Sequence, residues 1–159
     1  MPLKNLNAVF AFGACLLITG CDFEVPLTPV ATRKVDARLV GDWVAAEKDG
    51  DKAELMVVRK FDDATYAVAV DDDIYRVYHS DFAGQPFVSV QALNSEGLGY
   101  CLYTWQLSAD GNQLTLRRVS TKVIPDKTKT GAELQKLIKA NLANPQLLEK
   151  EIQFTRKKR

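Results

Sequence analysis

Histidine is almost missing from this chain: His79 is the only one in 159 residues. A zinc site built on several imidazoles is thereby ruled against. Neither sign of charge dominates, with 21 Lys and Arg against 20 Asp and Glu. That balance gives no argument for a nucleic-acid partner. A membrane-spanning helix needs roughly 20 apolar residues, and the longest strongly apolar stretch, Ala8 to Ile18, falls short of that. Cysteine is scarce too. Only Cys15, Cys21 and Cys101 occur, so no disulfide framework is implied. A Gly-x-Ser-x-Gly elbow, a Gly-rich phosphate loop, internal repeats and low-complexity segments are likewise absent from the sequence.

What is present begins at the N-terminus. Lys4 is the one charged residue before Asp22, and the apolar run that follows it ends in Thr19-Gly20-Cys21. A positive start, a short apolar core and a small-residue cleavage site make a signal peptide. Ile18-Thr19-Gly20-Cys21 resembles the lipobox of bacterial lipoproteins: an aliphatic residue, a small one, Gly or Ala, then cysteine. The resemblance implies cleavage between Gly20 and Cys21, with a diacylglyceryl group on the Cys21 thiol and an acylated amine. Two or more chains make a stable anchor, where one gives marginal binding. The expected location is therefore the bacterial cell envelope, lipid-anchored to the inner or the outer membrane, with the domain facing the periplasm. An ordinary secretory signal with a free Cys21 is the plain alternative.

Three segments follow from this reading: a removed leader over 1–20, a lipidated cysteine and tether over 21–36, and a β-barrel-like domain over 37–159. Pro26 and Pro29 interrupt the second segment, which has no clear period; Phe23, Val25 and Leu27 would also let it pack on the domain. Beyond it the pattern is that of strands, over 38–47, 53–60, 65–70, 74–82, 87–93, 98–107 and 113–120. Turn signals separate them at Asp49-Gly50, Asp62-Asp63, Asp71-Asp73, Gly84-Pro86, Ser95-Gly97 and Asp110-Gly111. Tyr66, Val68 and Val70 share one face. The strand through Cys101 is apolar on both, as in a closed sheet.

The period changes at Thr130-Gly131-Ala132-Glu133, a capping box. Leu134, Leu137, Ile138 and Leu142 then fall on one helical face, and Asn144-Pro145 ends the helix. An eighth strand over 151–157 places Ile152 and Phe154 together. The fold class expected is mainly β: eight antiparallel strands in a closed or nearly closed barrel, with one helix before the last strand.

Gly41-Asp42-Trp43 in the first strand resembles the Gly-x-Trp hallmark of lipocalins and of small lipocalin-like bacterial lipoproteins. In that family the tryptophan closes one barrel end and a late arginine packs over its ring. Gly41 and Trp43 would close the barrel here. Arg117, Arg118 and Arg156 are the candidates for the arginine, with Arg118 as the expected one. The helix fits the lipocalin order only loosely.

Candidates for chemistry are few. His79-Ser80-Asp81 holds the residue types of a hydrolase triad, but neighbours on a strand point to opposite faces. A surface or turn histidine is the expectation. Asp71-Asp72-Asp73 lacks the spacing and glycine of a calcium loop and reads as a solvated turn. Cys101 sits among apolar neighbours and reads as a plain buried side chain. The basic tail from Arg156 to Arg159 can touch anionic headgroups or simply be solvated. No catalytic residue, metal or cofactor is implied, and the chain is not expected to be an enzyme. The function expected is a membrane-anchored binding module for a small apolar ligand or an envelope protein, with Tyr66, Tyr75, Tyr78, Tyr103 and Trp105 as candidate lining residues. The alternative is a structural or assembly accessory with a filled barrel.

Overall fold

A computed structural model describes residues 22–45, 53–93 and 99–158. The leader, Gly20, Cys21 and the turns at Asp49-Gly50 and Ser95-Gly97 lie outside the described residues. Eight antiparallel strands close into a barrel: β1 (Gly41–Ala45), β2 (Leu55–Lys60), β3 (Thr65–Val70), β4 (Asp73–His79), β5 (Phe87–Ala92), β6 (Tyr100–Leu107), β7 (Gln113–Arg118) and β8 (Ile152–Arg156). Each strand pairs with the next, and β8 returns to β1 with Trp43 opposite Arg156. The architecture is compatible with the lipocalin-like fold that Gly41-Asp42-Trp43 implies.

Alternation decides what lies inside. Trp43, Tyr66, Val68, Val70, Val77, Cys101, Tyr103, Leu114 and Phe154 are all buried in one interior cluster. The upper end of the barrel carries the β1–β2, β3–β4 and β5–β6 connections and the long excursion between β7 and β8. The β2–β3, β4–β5 and β6–β7 turns make the lower end, together with a 3₁₀ turn, Ala37–Leu39, that precedes β1. That turn shortens the first strand predicted from residue 38. The Asp36 carboxylate caps it by accepting the Arg38 N–H at 2.9 Å. β4 likewise stops at His79 rather than Phe82, because Phe82 and Gln85 pair across a tight turn.

A second apolar cluster lies outside the barrel. Phe87 and Leu102 point outward from β5 and β6, and α1 (Gly131–Asn141) covers them with Leu134 and Ile138. Thr130 caps α1 by accepting the Glu133 N–H, while the Glu133 carboxylate accepts the Lys129 N–H. Leu142, predicted on the same face, is the C-cap and stays exposed.

Residues 22–35 complete this outer layer, the packed alternative to a tether that Phe23, Val25 and Leu27 allow. Phe23 and Leu27 are fully buried in it. Backbone bonds join Phe23 and Tyr100 in both directions, at 2.9 and 2.7 Å. The strap then runs down the barrel wall, where Thr32 N–H donates to His79 O, and reaches the lower end, where Val35 N–H donates to Asp63 O. Its prolines cost it a regular period, but its apolar residues gain burial against β6 and α1.

Candidate functional site

The interior holds an apolar cavity of about 50 Å³ bordered by Met56, Val58, Val68, Val70, Tyr75, Val77, Val88, Val90, Tyr103, Trp105 and Leu116. Of the five aromatic residues expected to line a site, Tyr75, Tyr103 and Trp105 do so. Tyr66 faces inward but packs edge-on to Trp105, with ring centres 5.3 Å apart, and is not among the cavity residues. Tyr78 faces the other way. Its hydroxyl donates to Thr28 O at 2.9 Å beneath the strap, and the Arg76 guanidinium lies over its ring. Parity along β4 explains this: Tyr75, Val77 and His79 turn inward, so Tyr78 turns out. The same parity on β2 to β5 places the valines and Met56 that sequence reasoning did not nominate.

The cavity wall is almost wholly apolar. The Tyr103 hydroxyl and the Trp105 Nε1 are buried and have no hydrogen-bond partner among the described residues. Tyr103 is 4% exposed and Trp105 7%. Burial pushes the Tyr103 phenol well above its ordinary range, so it stays protonated and able to donate. An unpaired buried donor costs about 1–3 kcal/mol. Thr65 Oγ1 and His79 Nδ1 are likewise buried without a partner among the described residues. A larger hollow outside, about 410 Å³ beside Val40–Asp42 and Arg156–Lys158, is open.

His79 is completely buried beside the cavity, not at the surface. Its Nε2 lies 2.8 Å from the Tyr66 hydroxyl, which accepts the Asp36 N–H at 2.6 Å. Which of the two groups donates follows the imidazole tautomer, and Nδ1 has no partner among the described residues. Burial, reinforced by Arg33, lowers the imidazole pKa to about 4, so it is neutral at pH 7. No triad forms with its neighbours. The Ser80 hydroxyl lies 2.7 Å from Ser89 and accepts from Thr28 at 2.9 Å on the outer face, and Asp81 pairs with Arg33.

At the lower end the arginine over Trp43 is Arg156, and this corrects the expectation of Arg118. The Arg156 guanidinium lies 4.2 Å from the ring centre, and Trp43 Nε1 donates to Leu39 O at 3.0 Å. Arg117 donates to Glu149 O and Leu148 O. Arg118 is at the upper end, where its Nε and Nη2 each lie 2.6 Å from the Asp22 carboxylate. Burial raises the Asp22 carboxyl, and Arg118 pulls it partly back. Cys101 is buried and unoxidised, 3.6 Å from Arg118 Nη2. The Asp71–Asp73 turn is exposed, and no group of three or more metal-ligating side chains gathers among the described residues. Among those residues, too, no helix is long and apolar enough to cross a membrane.

Fold and site together define a closed, nearly filled antiparallel barrel with a small apolar pocket and four buried side-chain polar atoms without partners among the described residues. The chain matches no protein-family model, no curated protein and no solved structure.

Proposed function

We propose that this protein is a lipid-anchored, non-catalytic binding module of a bacterial cell envelope, and that its barrel takes a small apolar molecule bearing a hydrogen-bond acceptor. The observation that supports the ligand is the apolar cavity inside the barrel, with Tyr103 and Trp105 among its lining residues, whose Oη and Nε1 are buried without partners among the described residues. Ligand pockets have this composition: mostly apolar walls with a few polar groups that fix orientation. Size limits the ligand. A water needs about 10–15 Å³, and an engineered cavity of about 150 Å³ takes benzene. A space of about 50 Å³ suits a molecule of a few heavy atoms or the narrow end of a chain.

The same small volume supports a second reading, a structural accessory with a filled barrel that acts through its surface, its two donors satisfied by buried water. Native and denatured mass spectra of the chain from residue 22, exported and folded, separate the two. An added mass that leaves on denaturation is the expected result. A bare mass from gently purified protein favours the accessory.

The anchor rests on Ile18-Thr19-Gly20-Cys21. Cys21→Ser is expected to give an uncleaved or soluble product without lipid. Unchanged membrane retention of a lipid-free chain sinks this part of the proposal.

A further inference from the structure

Asp22 is the first residue after the cysteine that the anchor reading modifies, and it has no slack. Its N–H donates to Tyr100 O at 3.1 Å, as does the Phe23 N–H at 2.9 Å. Its carboxylate is held by Arg118, with both side chains about 15% exposed. Phe23 is 1% exposed beneath the outer cluster. Consecutive Cα atoms are about 3.8 Å apart, so Cys21 is joined to the barrel wall by a single peptide unit.

Tyr100 opens β6 and Arg118 ends β7, so this fastening is at the upper end. Three exposed apolar side chains share that end, while Phe61 is exposed at the lower end and Val30 on the strap. Leu55 begins β2, Ile74 lies one residue into β4, and Leu93 follows β5. Leu93 N–H donates to Ile74 O at 2.9 Å, which sets the last two side by side. Lys157 and Lys158 follow β8 at the lower end. β6 spans eight residues, which at the usual rise and tilt gives a barrel roughly 20 Å tall. That exceeds the Debye length of about 8 Å, so the basic tail cannot hold the same bilayer surface as the upper end.

We infer that the protein stands with the upper end of its barrel directly on the bilayer, the Ile74–Leu93 rim against the lipid and the basic tail facing away. This rests on the anchor reading and replaces the expected flexible tether with a fixed orientation. Asp71, Asp72 and Asp73 lie at the same end, so the contact is driven by the acyl chains and the apolar rim, not by attraction to anionic headgroups. The cavity lining runs from Met56, Val70 and Tyr75 near this end to Val88 and Trp105 near the other.

The test uses the full chain, exported, processed in bacterial membranes and reconstituted in phosphatidylcholine vesicles with brominated acyl chains. Leu93→Trp reports the upper end and Phe61→Trp, at a still more exposed loop position, the lower end. Ile74→Trp repeats the first should Leu93→Trp fold poorly. Trp43 and Trp105 are buried and give a common background. The upper-end tryptophan is expected to be quenched at least about twofold more, as befits a side chain set against the headgroup boundary. A long Gly-Ser insert between Cys21 and Asp22 is expected to erase that difference. Equal quenching in protein that floats with the vesicles overturns the orientation alone. Protein that does not float, with no lipid on the Cys21 peptide by mass, overturns the anchor reading and the orientation with it.

Discussion

Trp43 and Arg156 face each other across the seam where β8 closes on β1, and the guanidinium lies 4.2 Å from the ring centre. Arg156 also donates to Val40 O at 3.0 Å, to Gly111 O at 2.9 Å and to Arg38 O. One side chain thus ties together the 3₁₀ turn, the β6–β7 turn and the last strand. Gly41 makes room for it: its φ is +155°, and a Cβ there would fall on Arg156 Nη1. Gly41→Ala is expected to destabilise the fold by about 1–3 kcal/mol. Arg156→Ala should cost about 2 kcal/mol. Arg156→Lys should recover only part of that, because an ammonium cannot reach three carbonyls at once. Urea unfolding followed by tryptophan fluorescence measures all three.

His79 makes stability depend on pH. Its pKa is lowered from 6.5 to about 4 in the folded chain by burial. The unfolded chain therefore binds a proton first as pH falls. The stabilising contribution is complete above pH 6.5 and is lost between 6.5 and about 4, roughly 3 kcal/mol in all. His79→Gln should flatten this part of the stability curve relative to the wild type. Parallel curves for the two proteins from pH 7 to 4.5 would contradict the assignment.

A tether and a packed strap respond differently to truncation. Leu27 is fully buried against the outer cluster, and the Gln135 side chain donates to its carbonyl at 2.9 Å. Leu27→Ala is expected to cost about 2–5 kcal/mol. An unchanged denaturation midpoint would restore the tether.

Much of the barrel was legible because its strands are short, alternate cleanly and are separated by Asp, Gly and Pro. The shared face of Tyr66, Val68 and Val70 and the cap at Thr130 are local patterns, and the structure has both. The strap was not legible, since its contacts are with Tyr100 and Gln135, far away in the chain. Nor was the choice among three late arginines, because only the β1–β8 register sets Arg156 opposite Trp43. His79 was misread as a surface group because β4 ends there, and one residue of parity decides whether a terminal side chain turns into the barrel. Of the eleven cavity residues, the three aromatic ones, Tyr75, Tyr103 and Trp105, were nominated from sequence. The valines around these rings carried no signal that distinguished them from ordinary core.

On the proposed function, the unpartnered Tyr103 hydroxyl would link stability to binding. Without a ligand it is a buried donor with no partner among the described residues, so Tyr103→Phe is expected to raise the stability of ligand-free protein by about 1 kcal/mol. The same change should weaken retention of whatever co-purifies. Calorimetry on refolded protein and mass spectrometry on freshly isolated protein read the two effects separately. A variant that is less stable and retains its ligand would contradict the assignment.

The most direct test uses the two indole N–H groups. Trp43 Nε1 is bonded to Leu39 O and serves as an internal reference, while Trp105 lines the cavity and its Nε1 has no partner among the described residues. Their ¹⁵N–¹H resonances are recorded on protein as isolated from cells, and again after denaturation, organic extraction and refolding. A binding module should show the Trp105 signal moving on extraction while the Trp43 signal stays in place. A Trp105 signal at the same position before and after would contradict a bound ligand and leave the barrel as filled structure.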